Sequence, residues 1–389
     1  KIGVTPDAEL LQAMQGRAMA VAGNFSPQHF ADALWALATM GVTPEAGLLA
    51  ALLRRAEVLM KEFDPGCLAS TLLALATMGV TPHVRLLHAM QGRAMVLAEE
   101  FKPQHVASTL LALATMGVTP EEELLHAMQG RATVLAGEFC PRSIATTLRA
   151  LATMGVTPDT GLLHAMQGRA TALAGRFSPL DVANTLWALA TMGVTPEEGL
   201  LRAMQVQATA VAGEFSPQDV AKLLLALVKI GVTPDAELLQ AMQGRATVLV
   251  DEFDPRSLTN ALLAFMTMGV MPGARLFEAV QIPATVLAGA FRPQDVKDTL
   301  LALATIGVTP DAFLLDAMQV RATVLANQCN PASIANTWWA LATLGVTPEA
   351  GLFHAMQGRA TALASEFRPH ELTNTVLALA TMSVTPDAA

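Results

Sequence analysis

The chain has 389 residues, 52% of them hydrophobic, and a formal net charge of −9 from 24 basic and 33 acidic residues. Mean hydropathy is +0.43, yet no apolar run approaches the roughly 18 residues of a membrane span, so no membrane partner is expected and the surplus belongs to a packed core. An acidic balance works against nucleic acid unless basic groups gather on one surface.

The tetrapeptide Gly-Val-Thr-Pro begins at Gly3 and returns at Gly41, Gly79, Gly117, Gly155, Gly193, Gly231, Gly307 and Gly345, with a Gly-Val-Met-Pro variant at Gly269. The interval is always 38 residues, so no repeat carries an insertion. A fixed period of about 20 to 50 residues is the signature of a solenoid. That overrides the length prior of roughly 150 residues per domain: residues 1–389 are expected to form one repeat array. The chain shows neither polar capping repeats nor a targeting peptide, which reads as a fragment of a longer protein. Cys67, Cys140 and Cys329 fall at three different places in the repeat. They make no metal set and no disulfide framework, and they suit a reducing compartment.

Counting each repeat from its Gly, the first helix is predicted from the Pro at position 4 to position 22. In the second repeat Thr43 reads as the N-cap and Pro44 as N1. Positions 8, 12, 16, 19 and 23 then share one apolar face. A second Pro at position 25 (Pro27, Pro65, Pro103) follows a residue such as Ser26, Asp64 or Asn330. That pair opens a second helix ending at the next Gly, where a positive φ belongs. Two antiparallel helices per repeat give an all-α solenoid, a superhelix of about ten two-helix repeats. Leu, Met, Phe and Ala columns fill its core. In the eighth repeat Ile282-Pro283 replaces the usual Gly-Arg, and a Pro inside a helix costs about 3 kcal/mol, so a kink is expected there.

The informative columns vary while their neighbours stay fixed. Position 30 holds Asp32, Ser70, Ser108, Thr146, Asn184, Lys222, Asn260, Asp298, Asn336 and Asn374. Free drift on an exposed helix favours Lys, Glu and Arg, whereas this column keeps to short hydrogen-bonding side chains with one Lys. Position 27 holds His29, Cys67, His105, Ser143, Asp181, Asp219, Ser257, Asp295, Ser333 and Glu371, and is read as part of the same exposed side. Position 26 is often Gln, and position 33 is Trp35, Trp187 or Trp339, elsewhere Leu or Arg149. Short polar groups beside a planar one can pair with a base edge and stack its face.

Position 15 carries Arg17, Arg55, Arg93, Arg131, Arg169, Arg245, Arg321 and Arg359, with Gln207 in the sixth repeat. Two roles fit: a phosphate ladder, or an inter-repeat contact with the head on C-terminal carbonyls or an acid such as Glu62. The column's place at the edge of the apolar face favours the second. The histidines His88, His126, His164 and His354 stand one repeat or more apart, too far for ligands that must lie near 2 Å from one ion. No P-loop, H-E-x-x-H or nucleophile–base set is present, so neither an enzyme nor a cofactor is expected.

The segments Phe215-Ser216-Pro217-Gln218-Asp219-Val220-Ala221 and Ala183-Asn184-Thr185-Leu186-Trp187-Ala188-Leu189-Ala190-Thr191-Met192-Gly193, at a 38-residue period, resemble the octotricopeptide repeat proteins, best known from green algae. The resemblance covers the whole chain. It implies single-stranded RNA as ligand, a role in organellar transcript stability, processing or translation, a chloroplast or mitochondrial location, and no cofactor. The alternative is a protein-binding scaffold using the same surface. The charge on the face lined by position 30 separates the two.

Overall fold

The computed structural model describes residues 7–268, 292–306 and 312–382, and every regular element among them is helical. They fall into two compact units, Lys1–Gln207 and Ala208–Ala389. Each repeat whose residues are described in full contributes a first (A) and a second (B) helix. The A helices are Ala8–Val21, Ala46–Leu59, Val84–Val96, Glu122–Val134, Thr160–Leu173, Glu198–Ala210, Ala236–Val248, Ala312–Leu325 and Ala350–Ala362. The B helices are Pro27–Thr39, Pro65–Thr77, Pro103–Thr115, Pro141–Thr153, Pro179–Thr191, Pro217–Ile230, Pro255–Thr267, Pro293–Ile306, Pro331–Thr343 and Pro369–Thr381. Within each unit the hairpins stack in chain order, which is the architecture of an all-α solenoid. The expected kink at Pro283 lies outside the described residues.

The B helices start as the sequence predicts. Ser26, Asp64 and Asn330 accept the N–H of the residue three positions on, with Pro at N1. They end as predicted too. Gly41 adopts φ +69°, and the N–H of Val42 reaches back to the carbonyl of Leu37 at 3.0 Å, the six-to-one bond of a Schellman motif. The A helices correct the reading. Their N-cap is position 5, not Thr43, so the helix of the second repeat begins at Ala46. Where position 5 is Asp, its carboxylate holds the first turn: Asp7, Asp159 and Asp235 accept from Leu10, Leu162 and Leu238 at 2.7 to 2.8 Å. The α-helix also stops early, at Leu59, and Met60–Glu62 tightens into a 3₁₀ turn.

The predicted apolar face is the core. Leu48, Leu52, Ala56, Leu59 and Phe63 are all at most 2% exposed. B helices pack along one another far more extensively than A helices do. The reason is position 34, where Ala74, Ala112, Ala150 and Ala188 are fully buried and leave room for a close approach.

Two hydrogen-bond ladders stitch neighbouring repeats. The Arg at position 15 donates Nε to the carbonyl of position 23 in the preceding repeat: Arg55 to Phe25, Arg93 to Phe63, Arg131 to Phe101, Arg169 to Phe139, Arg245 to Phe215 and Arg359 to Cys329, all within 3.1 Å. The Gln at position 13 accepts the N–H of position 5 in the following repeat, as Gln91 does from Glu121 and Gln167 from Glu197. Both ladders satisfy backbone groups that a helix end leaves open.

Candidate nucleic-acid interface

The B helices put positions 26, 30 and 33 on one strip. Position 26 is at the solvent edge, with Gln28, Gln104, Arg142, Gln218 and Arg256 exposed. Position 30 sits deeper: Ser70, Ser108, Thr146, Asn260, Asn336 and Asn374 are half-buried, Asp32 is exposed and Asn184 is buried. Lys222 and Asp298 are half-buried in the same column. Positions 26 and 30 lie one turn apart and can bond, as Gln28 Nε2 does to Asp32 Oδ1 at 2.9 Å and Gln294 Nε2 to Asp298 at 3.3 Å. Of the position-33 indoles, Trp35 and Trp339 are exposed at 46% and 37%, and Trp187 is half-buried. Trp338, next to Trp339, is core and packs edge-on to Phe353.

Position 27 does not belong to this exposed strip. It is the N3 residue of the B helix, and Ser143, Asp219, Ser257, Asp295, Ser333 and Glu371 are all buried there. Its side chains close the helix start. Asp181 and Asp219 accept the hydroxyls of Ser178 and Ser216 at 2.7 Å. Where the N-cap has a long basic side chain, N3 takes over the capping: Glu371 accepts the Arg368 N–H, Asp295 that of Arg292, and His105 that of Lys102. His29 alone of the column is fully exposed among the described residues. The polar character that suggested recognition is explained by the reciprocal capping of N-cap and N3. Burial, and then Lys102, lowers the His105 pKa. Burial pushes the Cys67 thiol up to about 11.

The position-15 arginines clamp adjacent repeats through the carbonyls described above. Gln207, which lacks the guanidinium, makes the same contact with the carbonyl of Phe177 at 2.8 Å. Arg17 is exposed, and Arg321 occupies the same column. The surface histidines meet acids of the next repeat, His88 with Glu121 and His164 with Glu197.

Charge separates by layer. The ten B helices, each counted as an N-cap plus thirteen residues, contain nine basic and eight acidic side chains, leaving fifteen basic and twenty-five acidic elsewhere. The B helices are thus near neutral and the rest of the chain is strongly acidic. Two grooves open along the B helices. In the first unit a cavity of about 220 Å³ is lined by Gln104, Ser108, Arg142, Thr146, Arg149 and Asn184, among others. In the second a cavity of about 690 Å³ is lined by Lys229, Arg256, Asn260, Arg292, Gln294 and Asp298, among others.

Stacked, near-identical hairpins with variable polar residues on their B helices define a helical-repeat protein. The model of the family RESC6, RNA-editing substrate-binding complex 6 protein, matches residues 18–234 and 217–387. The chain belongs to this family. No curated protein matches it. Among solved structures, a crystal structure of an engineered protein covers 91% of this chain and 95% of its own at 9% identity, with a TM-score of 0.21.

Proposed function

We propose that the B-helix strip binds single-stranded RNA, with one short polar side chain at position 30 presented per repeat, as a non-catalytic member of an RNA-editing-related assembly. The observation that carries this reading is the charge partition. A chain of net charge −9 keeps its B helices near neutral and places Arg142, Arg149, Lys222 and Arg256 on the strip that also carries Trp35 and Trp339, and a polyanion needs cations beside stacking platforms. Family membership supports an RNA substrate held within a protein complex, and of the two organelles implied by the octotricopeptide resemblance it favours the mitochondrion. The clamping role of the position-15 column leaves phosphate contacts to the B strip.

Protein partners fit the opposite layer. Val58, Val96 and Val134, last or next to last in their A helices, are 70%, 73% and 76% exposed, an apolar column on the acidic side. A column of apolar side chains recurring at each repeat is the surface we assign to protein partners.

The test is fluorescence anisotropy with random-sequence single-stranded RNA, duplex RNA and single-stranded DNA at stated low salt. Binding of the single strand, weakened by Trp35→Ala and untouched by Val96→Asp, is the expected result. An absence of single-strand binding at low salt, or a loss caused by Val96→Asp alone, would overturn it.

A further inference from the structure

The groove of the first unit contains an arginine that the scaffold does not use. Arg149 occupies position 33, where other repeats have Trp or Leu, and its Nε is buried with no hydrogen-bond partner. Burying a guanidinium donor without a partner is unfavourable, because the water it gave up is not replaced. Arg142, seven residues earlier on the same helix, lines the same groove. Among the described residues neither side chain forms an ion pair, in contrast to Arg131 with Glu99, Arg202 with Glu198, Arg292 with Asp295 and Lys297 with Asp298. The one acid in the lining, Asp181, is turned to the Ser178 hydroxyl at 2.7 Å. Thr146, between the two arginines, and Ser108 and Asn184 from the flanking B helices complete a rim of neutral donors.

We propose that Arg142 and Arg149 form a phosphate-binding site, the anchor at which the strand's backbone is gripped in the first unit. Seven residues of helix separate their Cα atoms by about 10 Å along the axis, so the two forked side chains can converge on one phosphate or straddle two. Guanidinium donors match phosphate oxygens in pairs, and a groove of about 220 Å³ admits such a group together with part of its sugar. The identity of the anion as RNA rests on the function proposed above; the site itself rests on the unpaired arginines.

Two measurements keep the readings apart. Arginine modification by phenylglyoxal, mapped by mass spectrometry on the intact chain, is run with and without inorganic pyrophosphate. Arg142 and Arg149 are expected to be protected together, and Arg202, exposed on an A helix, is not. Separately, the salt dependence of single-stranded RNA binding is compared for the parent and a variant carrying Arg142→Gln and Arg149→Gln. The slope of log K against log salt should fall by about 0.7 if the two arginines share one phosphate and by about 1.4 if they hold two, equally for all RNA sequences. Protection by pyrophosphate without any RNA binding would uphold the anion site and remove the RNA reading. RNA binding with an unchanged slope and no protection would do the reverse. A loss confined to RNAs with guanine at one position would replace the phosphate assignment by base reading, and so overturn it.

Discussion

Each groove is lined mainly by B-helix residues of successive repeats, the first by positions 26 to 33 and the second nearer the helix starts, and the two differ in their chemistry. In the first unit, Arg142 and Arg149 form no ion pair among the described residues, and the one acid of the groove, Asp181, accepts the Ser178 hydroxyl. In the second, Lys229, Arg256 and Arg292 share the groove with Asp295 and Asp298, and of these three cations Arg292 is spent on an ion pair with Asp295. Arg292 Nε lies 3.2 Å from Asp295, Lys297 Nζ lies 2.8 Å from Asp298, and Gln218 donates to the Asp254 carboxylate at 3.1 Å. The backbone, the Gly caps, the arginine clamps and the alanine contacts are common to both. The difference therefore comes from a few side chains at positions 24, 26, 30 and 33. A repeat fold makes those positions independent of stability, because each hairpin buries the same core whatever its strip displays.

The sharpest way to break that independence is to damage the shared scaffold. Phe139, fully buried in the first unit, should cost about 3 to 5 kcal/mol on substitution by Ala. Urea unfolding followed by circular dichroism should show the loss, and the groove beside it should stop binding. Arg149→Gln, on the strip, should leave the urea midpoint nearly in place; a comparable loss there would mean that scaffold and strip are not separate.

Next in size come the clamps. Arg169→Ala removes a charge-assisted bond to the Phe139 carbonyl and should destabilise by about 1.5 to 3 kcal/mol. Gln207→Ala, which removes a neutral bond to the Phe177 carbonyl, should cost about 1 kcal/mol. Equal effects in denaturant melts would deny that the guanidinium adds anything to the contact.

A comparison between the units follows from the indoles. Trp35→Ala and Trp339→Ala should each weaken single-stranded RNA binding by about 1 to 3 kcal/mol irrespective of base, if both stack. Titrations with homopolymeric RNAs check this. A loss at only one of them would assign the strand to one unit. Exchanging Asn184 or Asn260 for Asp replaces a mixed donor–acceptor by an acceptor and should alter preference at one RNA position, a smaller effect than either indole.

The smallest expected effect is acidic. Burial by itself would raise the Asp254 carboxyl, but hydrogen bonds from Ser257, the backbone and Gln218 outweigh it and hold the group below its ordinary value of 3.8. Its folded pKa being depressed, the cap contributes stability above the unfolded value and loses it as pH falls through the folded one. The corresponding N-cap in the fifth repeat is Ser178, which has no such titration. Asp254→Ser should flatten the acid limb of the stability profile slightly, measured by urea melts between neutral and acid pH; an unchanged limb would deny the cap any part in it.

The sequence by itself determined the period, the two helices of each repeat, the Pro and Gly boundaries of the B helix and the apolar columns. All of these are local or repeat with helical spacing, and the chemistry of a cap or a core face is legible one residue at a time. Tertiary structure decided the rest. Thr43 has the right side chain for an N-cap, but position 5 takes that place while its N–H is held by a Gln thirty residues earlier in the chain. The variable residues at position 27 read as exposed because capping and recognition use the same short polar side chains; the fold buries most of them at N3 and leaves His29 exposed and His105 and Asp181 half-buried. For the position-15 arginines the edge of the apolar face favours an inter-repeat contact over phosphate, and the carbonyl of the preceding repeat supplies the acceptor. Arg149 stands out for the opposite reason: one irregular residue in a column of Trp and Leu, whose significance comes from having no partner among the groups folded around it.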